Sequence, residues 1–202
     1  MTRVLRAATL VFALAACART PAMQPQAAAI ASAAPMLVVV VRHAEKAPNP
    51  PSDPVLSESG MARAAALDAA LGQMPVTDVV VSHLQRTRLT ASVLIARRNP
   101  VVHVVPIGAA GVAAHVQAVA DTVRAIARTA GRGGVLVVGH SNTVTSIVEA
   151  LGGGATPALC DSQYSQLFTL RAASGGQIRM VRSTYGAADA PDPTCAAMSG
   201  TK

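Results

Sequence analysis

The sequence contains no tryptophan and only four aromatic side chains, Phe12, Tyr164, Phe168 and Tyr185. A nucleic-acid surface built on rings that stack with bases is not expected from so few. Cysteine is nearly as scarce, with Cys17, Cys160 and Cys195 alone, and neither Cys-x-x-Cys nor His-x-x-x-His spacing occurs. A metal centre is therefore not expected, and no cofactor is implied. Acidic residues number 10 against 17 Lys and Arg, giving a formal net charge of +7. That imbalance points to an anionic partner, without saying whether it is a phosphate ester, a lipid surface or a polymer. Charged residues make up 13% of the chain and apolar ones 51%, which excludes wholesale disorder. At 202 residues the chain is long enough to bury the core of one domain.

Residues 1–17 read as an address rather than as structure. Arg3 and Arg6 give a positive start, residues 7–16 (AATLVFALAA) are apolar, and Cys17 follows. A run of that length falls short of a bilayer core of ~30 Å at ~1.5 Å per residue. The pattern is that of an export signal. Leu14-Ala15-Ala16-Cys17 resembles the lipobox of bacterial lipoproteins, in which the cysteine becomes the acylated first residue. The resemblance implies a membrane partner through a lipid anchor on Cys17 and a place in the bacterial cell envelope, facing the periplasm. Ala18 stands where an Asp would favour inner-membrane retention, which implies the outer membrane. The alternative is an ordinary cleaved signal peptide with Cys17 incidental. Residues 18–35, rich in Ala, Pro and Gln, have the composition of a flexible tether. Residues 36–185 then form the domain, and residues 186–202 (GAADAPDPTCAAMSGTK) read as a loose tail. In an oxidising periplasm Cys160 and Cys195 are candidates for a disulfide, against two unpaired thiols.

Between these ends, strand and helix patterns alternate. Residues 36–41 (MLVVVV) form a continuous apolar, mostly β-branched run, as expected of a strand buried on both faces. Residues 78–82, 101–105 and 134–138 read likewise. Helical patterns cover residues 57–73, with Ser57 as N-cap, and residues 86–98, 112–129 and 141–151. Residues 166–171 and 177–182 flank Ser174-Gly175-Gly176, a hairpin signal. The order βαβαβαβα followed by ββ predicts a three-layer α/β/α sandwich whose mostly parallel sheet has an antiparallel edge.

Ligands of open α/β sheets bind beyond the carboxyl ends of the parallel strands. There the chain places Arg42 and His43 after the first strand, Ser82, His83 and Arg86 after the second, and Gly139 and His140 after the fourth. Nothing chemically active follows the third, which ends in Pro106-Ile107-Gly108. Three strand ends thus bring cationic or imidazole groups to one rim, a concave site for an anion. Arg42-His43-Ala44-Glu45, Leu56-Ser57-Glu58-Ser59-Gly60, Ser82-His83-Leu84-Gln85-Arg86-Thr87 with Thr90-Ala91, and Gly139-His140-Ser141 occur in that order. Together they resemble the motifs of the histidine phosphatase superfamily, branch 1, whose fold is phosphoglycerate-mutase-like. The likeness covers roughly residues 36–171.

The resemblance implies that His43 is the catalytic nucleophile and that Arg42, Arg86 and His140 complete the phosphate pocket, with Ser141 beside them as a substrate-binding residue. The physical reading agrees. Phosphoryl transfer needs positioned positive donors more than covalent machinery, and each guanidinium offers a planar fork to two oxygens. Neighbouring guanidiniums are expected to lower the His43 pKa and keep the ring neutral for attack. Taken alone, each residue also has a plain structural reading: a histidine bonded to a loop carbonyl, a solvated arginine, or, for Ser141, a helix cap. Lys46 and Arg88 are expected to be solvated charges, and His103 and His115 structural or exposed.

One departure stands out. Many relatives carry a general-acid Glu or Asp beyond the third strand or just after the second histidine. Here residues 106–120 contain no carboxylate, and Ser141 follows His140. Glu45, His83 and Asp121 are the candidates for the missing acid. General acid catalysis contributes about 10²–10⁴-fold, so substrates with good leaving groups are expected to react best. The short insert after the first strand implies an open site of loose selectivity. The leading expectation is a phosphatase acting on small phosphomonoesters. The alternative is a catalytically weak, phosphate-binding envelope lipoprotein of the same fold. A mutase, and a phosphatase of protein phosphohistidine, are less expected readings.

Overall fold

The computed structural model describes residues 36–129, 133–172, 177–193 and 195. The export-signal, tether and Ser174-Gly175-Gly176 readings lie outside the described residues. Among those described, no helix is long and apolar enough to cross a membrane.

Among the described residues six strands form one sheet: β1 (Leu37–Arg42), β2 (Val76–Val81), β3 (Val101–Val104), β4 (Gly134–Gly139), β5 (Gln166–Ala172) and β6 (Ile178–Thr184). Their order is β3-β2-β4-β1-β5-β6. The first four are parallel, and β5 and β6 close the edge antiparallel. The helices are α1 (Glu58–Leu71), α2 (Gln85–Thr90), α3 (Ser92–Arg98), α4 (Gly111–Thr129) and α5 (Val144–Ala150). The β-branched runs explain the layering, because side chains alternate across a strand. Val38 and Val40 of β1 join Val116, Val119 and Val123 of α4 and Ile147 of α5 on one face. Val39 and Val41 join Leu67 and Leu71 of α1 and Leu94 of α3 on the other. Both faces are covered, which is why the central strands read as unbroken apolar runs rather than as alternation. The expected three-layer α/β/α architecture with its antiparallel edge is the one found.

Two helices differ from the sequence reading. The pattern over residues 86–98 is two helices meeting at Ala91, whose N–H donates to the Arg88 carbonyl in a tightened turn. Just before it, Thr90 Oγ1 donates back to the Arg86 carbonyl at 2.7 Å and accepts the Ala44 N–H at 2.8 Å. A hydroxyl that bonds back into its own helix competes with the regular ladder and bends it. The last helix starts at Val144, not at Ser141, because residues 140–143 form a turn. There Thr143 Oγ1 accepts the His140 N–H at 2.9 Å, and the Thr143 N–H donates to the His140 carbonyl. Thr143, rather than Ser141, is the cap residue.

Of the tail expected to be loose, residues 186–193 and 195 are tied down. Asp189 accepts the N–H groups of Tyr164 and Ser165 at 2.8 Å each and the Ser165 hydroxyl at 2.7 Å. Arg63 donates to the carbonyls of Tyr185 and Ala187. Cys160 and Cys195 are joined by a disulfide. The polar, Ala- and Pro-rich composition hid this, because the partners lie in distant parts of the chain.

Candidate active site

The sheet order sets β4 between β1 and β2, so three strand tips lie side by side. Arg42 pairs with Gly139 and Val81 with Val138, which leaves His43, Ser82 and His140 level at the carboxyl rim. The ladder runs one step further, with the His43 N–H donating to the Gly139 carbonyl at 2.9 Å. The rings of His43 and His140 then meet edge to face, 5.3 Å between centroids and 62° between planes.

His43 Nδ1 lies 2.8 Å from the Ala44 carbonyl. A carbonyl only accepts, so that nitrogen carries the proton and Nε2 holds the free lone pair. Burial is the main cause lowering the His43 pKa to about 3, and His140, Arg42 and Arg86 lower it further. The sequence reading gave the guanidiniums the leading part; desolvation is larger. The loop bearing this ring is fixed in two places. Thr90 accepts the Ala44 N–H, and Glu45 is clamped by Arg63 Nε and Nη2 at 2.7–2.9 Å. The Glu45 carbonyl also accepts the N–H of Ser57, the α1 N-cap. It runs so close to Gly60 that a Cβ there would stand 2.2 Å from it.

Arg42 is buried and splits its guanidinium between two tasks. Nη1 donates to the carbonyls of Cys160, Asp161 and Gln163 at 2.9–3.0 Å, while Nε is buried with no partner among the described residues. The Tyr164 ring stacks 4.0 Å from its Cζ and also approaches the His43 ring at 6.3 Å. The acceptors therefore come from a loop that the disulfide and Asp189 hold. Arg86, near the start of α2, also keeps a buried, unpartnered Nε, with Nη1 3.9 Å from Asp53. Unpaired buried N–H groups carry a real free-energy cost, and a helix start favours negative charge. Both features suit an anion lying between the two arginines.

His140 Nε2 sits 3.1 Å from the Ser82 hydroxyl, which in turn meets Thr87 Oγ1 at 3.1 Å. Burial and then Arg86 are the main causes that bring the His140 pKa down to about 3. A third imidazole stands beside it: His115 of α4 is buried, its ring 6.5 Å from that of His140. The β3 end, which seemed inert, holds two imidazoles through its backbone. The Pro106 carbonyl meets His115 Nδ1 at 3.3 Å, and the Ile107 N–H donates to His83 Nδ1 at 3.2 Å.

Of the residues singled out from sequence, the structure brings together His43, His140, Arg42 and Arg86. Ser141 is half-buried beside them and makes no side-chain hydrogen bond among the described residues. Of the acid candidates, Glu45 is committed to Arg63, Asp121 pairs with Arg124 and Gln117, and His83 is exposed at the mouth. Lys46 and Arg88 are exposed, and His103 pairs with Asp78 at 2.8 Å. Sequence reasoning gave no role to Tyr164, Asp53 or Ser82 and set His115 aside. For His115 a signal existed: it shares the i, i+4 stripe of Val119 and Val123, which had to face the sheet. Among the described residues no cluster of His, Cys, Asp and Glu could hold a metal ion.

Residues 38–107 match the family model of the histidine phosphatase superfamily, branch 1. No curated protein matches the chain. Among solved structures, the protein histidine phosphatase SixA complexed with tungstate is 21% identical, with 74% of this chain and 97% of that one covered and a TM-score of 0.58. A candidate alpha-ribazole-5'-P phosphatase from Escherichia coli is 16% identical over 78% of this chain and 99% of that one, TM-score 0.57. A mycobacterial glucosyl-3-phosphoglycerate phosphatase is 19% identical over 75% and 99%, TM-score 0.50. Over residues 38–107 the chain is similar to the histidine phosphatase superfamily, branch 1, and it shares the fold of these phosphatase structures.

Proposed function

We propose that this protein is a phosphatase that hydrolyses small phosphomonoesters through a phosphohistidine on His43. The observation that carries the reading is a single cup in which a neutral, tautomer-fixed imidazole stands beside His140 and two arginines whose Nε donors have no partner among the described residues. His43 Nε2 attacks phosphorus, the P–N bond forms, and the P–O bond to the leaving group breaks with its electron pair going to oxygen. Arg42 and Arg86 donate to the equatorial oxygens, where the charge lies. His140 adds a further donor from its ring. Water then attacks the phosphorus, releases phosphate and restores neutral His43. Charge stabilisation comes from guanidinium groups, so no metal is assigned a part in these steps.

The same reading extends to location. Lipidation at Cys17 would hold the domain at the envelope, facing the periplasm, most simply at the outer membrane. The Cys160–Cys195 disulfide accords with an oxidising compartment. One observation favours the alternative of a weak, phosphate-binding lipoprotein: the two carboxylates expected to serve as acid are tied to Arg63 and Arg124. Turnover of p-nitrophenyl phosphate by wild type and His43→Ala, with phosphate binding measured by calorimetry, separates the two. Turnover in wild type, abolished by the substitution while phosphate still binds, supports the phosphatase. Binding without turnover in either protein supports the alternative.

A further inference from the structure

The chemistry above leaves a proton unaccounted for. When the leaving group is a poor one, the oxygen that departs from phosphorus must be protonated as it leaves. The nearby carboxylates are otherwise engaged. Glu45 is held by both Nε and Nη2 of Arg63. Asp121 pairs with Arg124 with a side chain 62% exposed. Asp161 is 97% exposed. Asp189 binds the backbone of Tyr164 and Ser165. Asp53 accepts the Gln85 N–H and faces Arg86.

One buried titratable group in the cup has no assigned work. His115 is 4% exposed, as buried as His43 and His140, and its ring lies 6.5 Å from the His140 ring. Its one hydrogen bond among the described residues is through Nδ1 to the Pro106 carbonyl. That bond fixes the proton on Nδ1 and leaves Nε2 as the nitrogen that gains and loses a proton. His83, at the end of β2, and His140, at the end of β4, face it. Its pKa is lowered by burial first and by the field of His83 among its neighbours, so the ring is neutral in the free protein. A phosphate group bound between Arg42 and Arg86 brings the negative charge that favours the imidazolium.

Resting on the phosphatase reading, we propose that His115 is the general acid and base of this site, an imidazole doing the work of the missing carboxylate. As the phosphate group binds, His115 Nε2 takes up a proton from solvent; in the first half-reaction it gives that proton to the bridging oxygen as the P–O bond breaks and the P–N bond to His43 forms. The product leaves as a neutral alcohol and His115 becomes neutral. In the second, His115 Nε2 takes a proton from the attacking water as the new P–O bond forms and the P–N bond breaks. His43 is free again, and as phosphate is released His115 gives its extra proton back to solvent, which restores the neutral ring of the free protein.

The test is the dependence of kcat/KM on the leaving group, measured with p-nitrophenyl phosphate, phenyl phosphate and glycerol phosphate for wild type, His115→Gln, His115→Asn and Asp53→Asn. A proton donor matters most for the poorest leaving group. His115→Gln and His115→Asn are expected to lose about 10²–10⁴-fold on glycerol phosphate and less than about 10-fold on p-nitrophenyl phosphate, which also reports that they fold. A loss that is the same on all three substrates, or no loss on glycerol phosphate, overturns the proposal. So does a leaving-group-dependent loss in Asp53→Asn instead, or a wild type already as steep as His115→Gln. If wild type turns over none of the three, the phosphatase reading itself fails and this proposal with it.

Discussion

Replacing Cys160 and Cys195 by serine removes the covalent tie between the C-terminal segment and the loop that holds Arg42. The two cysteines are 35 residues apart in sequence. In the chain-entropy description, closing a loop of that size destabilises the unfolded chain by about 4 kcal/mol. For a domain of this size, that predicts a thermal midpoint lower by roughly 8–15 °C. A functional effect accompanies it. Cys160, Asp161 and Gln163 supply the three carbonyls that receive Arg42 Nη1, and Tyr164 lies against the same guanidinium. If the looser loop lets Arg42 lose one charge-assisted hydrogen bond to the substrate, binding weakens by about 1.5–3 kcal/mol, roughly 10- to 100-fold. The Asp189 contacts remain in the variant, so a rise in KM of up to about 10-fold is expected. Thermal unfolding and steady-state turnover of p-nitrophenyl phosphate measure both. An unchanged midpoint refutes the stabilising role. A lowered midpoint with an unchanged KM refutes the coupling between the tail and Arg42.

Three further outcomes follow from the same geometry. Gly60→Ala places a Cβ against the Glu45 carbonyl, 2.2 Å away before relaxation; a loss of about 1–3 kcal/mol is expected in urea unfolding, together with reduced turnover, since Glu45 lies two residues from His43. His43 and His140 have folded pKa values of about 3 against an ordinary 6.5, so below pH 6.5 the unfolded chain binds protons that the folded one refuses. Stability supplied by these two rings is therefore complete above pH 6.5 and falls as pH drops toward 3, by roughly 1.4 kcal/mol per pH unit for each ring, and unfolding midpoints across that range measure it. EDTA is expected to leave turnover unchanged, because Arg42 and Arg86 carry the positive charge, whereas vanadate or tungstate is expected to inhibit competitively in the same assay.

Much of this arrangement was legible in the sequence because it rides on the strands. An unbroken β-branched run can only be a strand covered on both faces, and whatever follows such a strand must emerge at the rim. That logic alone placed Arg42, His43, Ser82 and His140 together, and it is local in sequence. Arg86 followed from its place at the start of the next helix. Contacts made by distant segments were not legible. The tail seemed loose because Asp189, Asp192 and Cys195 show no pattern until the 160–165 loop is folded against them. His115 lies inside a helix, where the strand-end logic does not reach, although its i, i+4 stripe with Val119 and Val123 turns it toward the sheet. The break at Ala91 likewise depends on a distant contact. The hydroxyl of Thr90 is drawn to Ala44, a residue that the sequence places 46 positions away.

The proposed mechanism rests on a bond from His43 Nε2 to phosphorus during turnover. Rapid mixing of the protein with a radiolabelled phosphomonoester, an alkaline detergent quench that preserves a P–N bond, and peptide mapping test it directly. Label is expected on the peptide bearing His43, stable in base, lost in acid, and absent from His43→Ala. Label on any other residue, or turnover at full rate in His43→Ala, contradicts it.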